Sequence, residues 1–168
     1  MKTLLTLLLL TLQLYSFEYI ISEKELSTKV SQEFPITEEF FFSKFIFFDP
    51  ILTINKKTNL IVFECSIKNS SIVLENGEVP TFRVQASSGI RYHGQKIYLT
   101  GVKVTKVTNK NLSQDVRDKL SIGVQLLLNA YFKEEPIFDS KDAVEEIRTI
   151  SSIIKDVIID DGAIKVLF

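Results

Sequence analysis

The chain is poor in the residues on which most protein chemistry depends. Its 168 residues include one cysteine, one histidine and no tryptophan. A single cysteine, Cys65, rules out an intramolecular disulfide. Its place in the alternating run Ile61, Phe63, Cys65, Ile67 reads as a small buried hydrophobe rather than a nucleophile. His93 has no second histidine or cysteine beside it, so zinc or iron is not expected. A Ser-His-Asp triad would have to use His93 with nearby Ser88, and the chain has no Gly-x-Ser-x-Gly elbow. Glycine-rich phosphate loops are missing too. The paired acids Glu38-Glu39, Glu134-Glu135, Glu145-Glu146 and Asp160-Asp161 flank apolar runs or lie on polar helix faces, as solvated carboxylates do. No catalytic residue, metal ligand or cofactor is therefore expected, and the chain does not read as an enzyme. A formal net charge of −1 with interspersed signs leaves no basic stripe, which argues against nucleic acid.

What the chain has in quantity is apolar surface, 45% of its residues. The first sixteen residues read as a signal peptide: Met1-Lys2, then the apolar stretch Leu4 to Leu14, then Ser16 near the expected cleavage point. That stretch is shorter than the ~20 residues of a membrane span; an uncleaved N-terminal anchor is the alternative. Leu14-Tyr15-Ser16 is similar to a bacterial lipoprotein signal, but Phe17 stands where the lipid-bearing cysteine would be. A soluble, monomeric, periplasmic protein is expected, with residues 17–168 as one domain.

Hydropathy periods set the element order. Ser22 can cap a helix with Glu25 three residues on, Ile21 and Leu26 form a hydrophobic staple, and Pro35 ends the helix. From about Phe40 to Thr108 the period is two, broken by turns at 55–59 and His93-Gly94-Gln95, with Gly101 as a bulge or bend. Leu112 to Lys133 returns to helical spacing through Val116, Leu120, Val124, Leu127, Leu128 and Tyr131, with Leu126 and Ala130 broadening the stripe. Gly123 within it suggests close packing against another backbone. A second helix is expected over about Lys141 to Lys155, with Val144, Ile147, Ile150 and Ile154 as its stripe. The segment to Phe168, with a turn signal at Asp161-Gly162, reads as one closing strand. The expected order is helix, four strands, two helices, strand.

The run "EEFFFSKFIFFDP" at 38–50 carries six phenylalanines, with Phe42, Ile46 and Phe48 on one face and Phe41, Phe45 and Phe47 on the other. Burying one Phe is worth about 1.5–3 kcal/mol, so six represent about 9–18 kcal/mol, against a net stability of about 5–15 kcal/mol. Most must be covered. One face can pack on helices; the other needs further core, an apolar ligand, a partner or a membrane surface.

Four segments in order, "YIISEKELSTKV" (19–30), "GQKIYLTGVKVTKV" (94–107), "LLLNAYFKEEPIF" (126–138) and "IKDVIIDDGAIKVLF" (154–168), resemble the YceB-like proteins, a bacterial envelope family of unknown function, mostly lipoproteins. The resemblance implies an α+β fold: a curved antiparallel β-meander wrapped around a long C-terminal helix, with an additional N-terminal helix and a closing C-terminal strand. That arrangement is similar to the tubular lipid-binding superfamily, which holds acyl chains between helix and sheet. The family has no established ligand, so no functional residue carries over. Alternation and resemblance together offer Phe42, Phe48, Phe63, Phe82, Leu127 and Tyr131 as lining for a lipid or other elongated apolar ligand. Peripheral contact with the envelope membrane would accompany such a role. The alternative is a non-catalytic structural or interaction module whose core is full.

Overall fold

A computed structural model describes residues 18–40, 43–73, 77–109, 112–143 and 145–168. The fold is α+β. Strands β2 (Ile36–Phe40), β3 (Ser43–Asn55), β4 (Leu60–Asn69), β5 (Thr81–His93), β6 (Lys96–Thr108) and β7 (Phe138–Asp139) form an antiparallel sheet in that spatial order. Strands β1 (Glu18–Ser22), β8 (Asp156–Asp160) and β9 (Ala163–Leu167) form a second, three-stranded sheet ordered β1-β9-β8. Helix α1 (Glu23–Glu33) follows β1, and α2 (Gln114–Glu134) follows β6.

Alternation puts one face of the large sheet into the core, and irregularities in β3 and β6 keep it there. In β4 and β5 the inward set runs unbroken through Ile61, Phe63, Cys65 and Ile67, and through Phe82, Val84 and Ala86. In β3 it is Phe45 and Phe47, then Leu52 and Ile54. That change of phase falls at the register shift between Phe48 and Ile51, where Asp49 takes φ 50°. In β6 it is Ile97 and Leu99, then Val102 and Val104, and the change falls at Gly101, with φ 61°. A bulge flips the alternation, so apolar side chains on both sides of it reach the same face.

The outer face answers the question raised by the Phe-rich run. Phe48 points away from the core and is half-buried, with the Lys68 ammonium 5.6 Å from its ring centroid. Arg91 lies likewise 4.8 Å from the Tyr98 ring, and Glu64 meets Arg83 at 3.6 Å and accepts from Gln85 at 2.8 Å. Long cationic side chains cover aromatic surface while keeping their charges wet. Phe41, Phe42 and the side chain of Phe40 lie outside the described residues.

Helix α1 starts as expected. The Ser22 hydroxyl accepts from the Glu25 amide at 3.2 Å, and the staple residues Ile21 and Leu26 are fully buried. The Glu25 carboxylate does not close a capping box but accepts the Tyr19 hydroxyl at 3.4 Å. Helix α2 is capped by Ser113 and buries Leu120, Val124, Leu127, Leu128 and Phe132. It packs chiefly on β6 and also touches β2.

Several expectations are corrected. Leu126 and Ala130 do not broaden the buried stripe of α2; both are exposed, as is Ile122. Gly123 approaches no backbone, since a Cβ built there meets nothing within 4 Å. The helix expected over 141–155 shrinks to α3 (Glu145–Ile150), flanked by single 3₁₀ turns. Asp139 caps the first turn by accepting from the Lys141 amide at 3.0 Å, and the Ser151 hydroxyl donates to the Arg148 carbonyl at 2.8 Å. Such local side-chain bonds compete with a helical ladder. Val144 and the side chains of Ile147 and Ile150 lie outside the described residues. The terminal segment is not one strand but the hairpin β8–β9, turning at Asp161 and Gly162, both at positive φ. The expected order also missed β1, which pairs with the equally short β9, β2, which pairs with the longer β3, and the two-residue β7.

The two glycines predict opposite outcomes. Gly101→Ala is expected to lose about 1–2 kcal/mol because the left-handed backbone there disfavours any Cβ. Gly123→Ala is expected to gain about 1 kcal/mol from helix propensity in open space. Urea unfolding midpoints check both; equal or reversed signs would contradict the assignment.

Candidate functional site

The last turns of α1 and α2 converge on a cleft of about 490 Å³. Lys29, Val30, Gln32, Glu33 and Phe34 form one wall; Tyr131, Phe132 and the segment Glu135–Asp139 form the other. Both helices end in the same way, with aromatic residues and glutamates before a proline: Glu33-Phe34-Pro35 and Tyr131-Phe132-Lys133-Glu134-Glu135-Pro136. Proline stops each helix, and the adjacent aromatics turn back to the core.

The floor of the cleft is an extension of that core. Phe63, in the middle of β4, packs edge-on against Phe132 at 5.5 Å and tilted against Phe34 at 5.8 Å. Tyr131 meets Phe132 edge-on at 5.2 Å. At the far end the Lys29 ammonium sits 4.5 Å from the Phe138 ring centroid, and Tyr19 packs on the same ring at 6.4 Å. Beside the cleft, between α2 and strands β2 and β3, is an apolar crevice of about 10 Å³. It is walled by Phe34, Ile36, Phe47, Leu127, Leu128, Tyr131 and Phe132, with Glu38 as its one charged neighbour, and has room for about one water molecule. Phe34, Tyr131 and Phe132 therefore line both spaces.

The lining of the cleft sets Glu33, Glu135 and Asp139 against Lys29, an acidic excess. Burial pushes the Tyr131 phenol up to about 12, helped by the carboxylates of Glu135, Glu33 and Glu38. Tyr131 thus stays a neutral donor in a negative field. Asp139 is balanced by Lys96 at 3.3 Å. Glu33, Glu38 and Glu135 have no ion-pair partner among the described residues. Each helix also brings the negative end of its dipole here; α1 has no basic residue in its last turn, whereas α2 has Lys133.

The residues singled out from the sequence are only partly brought together. Leu127 and Tyr131 share the crevice wall, and Tyr131 also lines the cleft. Phe63 and Phe82 are 1% exposed inside the packed core. Phe48 is on the opposite face of the sheet, and Phe42 lies outside the described residues. Sequence reasoning missed Lys29, Glu33, Phe34, Phe132, Glu135 and Phe138. The signal available was the repeated aromatic-glutamate-proline ending, which runs against the preference of helix C-termini for cations.

Elsewhere, burial pushes the Cys65 thiol up to about 12. The buried Ser88 hydroxyl lies within 2.8 Å and 2.9 Å of the Gly89 and Thr100 carbonyls, whereas His93 is exposed at the β5–β6 turn. Among the described residues no group of histidine, cysteine and carboxylate side chains could hold a metal ion, and no helix is long and apolar enough to cross a membrane.

The Tyr131 environment sets an alkaline limit. Unfolded tyrosine ionises near its ordinary value of about 10, whereas the folded chain holds this proton to about 12. The resulting stability is complete below about pH 10 and is lost as pH rises toward 12. The unfolding free energy should fall across that window, less steeply in Tyr131→Phe, and phenolate absorbance should show Glu135→Gln titrating Tyr131 earlier. A Tyr131 phenolate forming at the ordinary value would contradict this. No protein-family model matches the chain and no curated protein does, so the YceB-like resemblance rests on the four segments that carry it.

Proposed function

We propose that the protein is an exported, non-catalytic binding protein of the cell envelope that takes a lipid or similar amphipathic ligand at this cleft. The observation that carries the reading is the sharing of Phe34, Tyr131 and Phe132 between the cleft and the apolar crevice. A ligand head resting in the cleft has its tail aimed between α2 and the sheet. About 490 Å³ falls within the usual ~300–1,000 Å³ of small-molecule sites. The crevice is nearly closed, so a tail enters by displacing side chains of α2 such as Leu127. Contact of α2 with β6 and with β2, near opposite ends of the sheet order, supports a sheet curled around the helix, as the YceB-like resemblance implies. Export is supported by the apolar run Leu4 to Leu14, outside the described residues.

A second reading, an interaction module with a full core, is favoured by the 10 Å³ beneath α2. Native mass spectrometry of gently purified protein separates the two. Co-purifying lipid, together with a fluorescent fatty acid whose affinity drops about tenfold in Leu127→Phe as the crevice fills, is the expected result. Neither lipid nor probe binding would leave the interaction module standing alone.

A further inference from the structure

We infer that the cleft selects amphiphiles with an organic ammonium head over those with an anionic or neutral one. The inference rests on the binding function proposed above and names the head-group chemistry. Three features converge. Phe34 and Tyr131, both partly exposed, give aromatic surface, whose π faces attract cations, especially weakly hydrated ones. Glu33 and Glu135 stand in opposite walls and, among the described residues, neither is neutralised by an ion pair. The C-terminal ends of α1 and α2 add their partial negative charge at the same place.

The cleft already holds one such contact. The Lys29 ammonium rests over the Phe138 ring at the far end, so the pairing of cation and aromatic face is built into this wall. An anionic head would meet Lys29 but also two carboxylates and both helix ends. A trimethylammonium or primary ammonium head would meet Glu33, Glu135 and the helix ends, opposed by Lys29.

Calorimetric titration of the purified chain at low ionic strength tests this with octyltrimethylammonium, octanoate and octyl glucoside, all below their micelle concentrations. The ammonium amphiphile should bind about tenfold tighter than the other two, as expected for one cation–π contact plus a carboxylate. Glu33→Gln with Glu135→Gln should abolish that preference, with the melting temperature unchanged because both side chains are exposed; a preference that survives the double change overturns the inference. Parity of the three ligands in the unaltered chain, or tighter octanoate, overturns the inference but leaves the binding function. Failure of all three overturns the binding function, and the inference falls with it. Choline alone binding as tightly as octyltrimethylammonium supports the ammonium site and overturns the amphiphile.

Discussion

The placement of α2 depends on how β6 satisfies its own backbone. Strand β7 pairs only with Lys96 and Ile97, so beyond them β6 is the edge of the sheet. Past the Gly101 bulge, the amide of Val102 donates to Asn129 Oδ1 at 3.1 Å and that of Val104 to Gln125 Oε1 at 3.1 Å. Asn129 Nδ2 returns a bond to the Val102 carbonyl at 2.8 Å. Two amide side chains one helical turn apart thus act as the missing strand, closing an edge that would otherwise invite pairing with another chain. The same anchorage fixes where the last turn of α2, and hence Tyr131 and Glu135, comes to rest.

From that anchor the aromatic residues divide into three roles. Phe45, Phe47, Phe63 and Phe82 are buried in the core and hold the sheet to its covering elements. Phe48 and Tyr98 lie on the outer face beneath Lys68 and Arg91. Phe34, Tyr131, Phe132 and Phe138 form the boundary between core and cleft. Among the described residues, the phenylalanines named here are covered by the core, by a cationic side chain or by the walls of the cleft.

Much of this was legible in the sequence where the cause is local. The period of two in β4 and β5, the Ser22 cap with its staple, the turns at Gly94 and Asp161-Gly162, and the bulge at Gly101 each depend on a few adjacent residues. The failures have tertiary or competing causes. The 141–155 segment has helical spacing, but hydroxyl and carboxylate side chains capture its backbone and cut the helix to six residues. Gly123 was read as a close approach, yet its surroundings are open. The cleft was invisible because it joins residues about a hundred positions apart, Phe34 and Tyr131, each of which alone looks like an ordinary helix-end aromatic. Leu127 and Tyr131 were found because they continue the α2 stripe; Phe34 continues the α1 stripe through Leu26 and Val30, and neither stripe alone tells that the two helix ends meet.

Cys65 carries a consequence of its own. It sits on the central strand β4, opposite Val84 of β5, with no measurable exposure. Thiol–disulfide exchange needs a thiolate and an open line of attack, and the folded chain denies both. In an oxidising compartment the sulfur is therefore at hazard only during the interval between synthesis and the zipping of β3, β4 and β5.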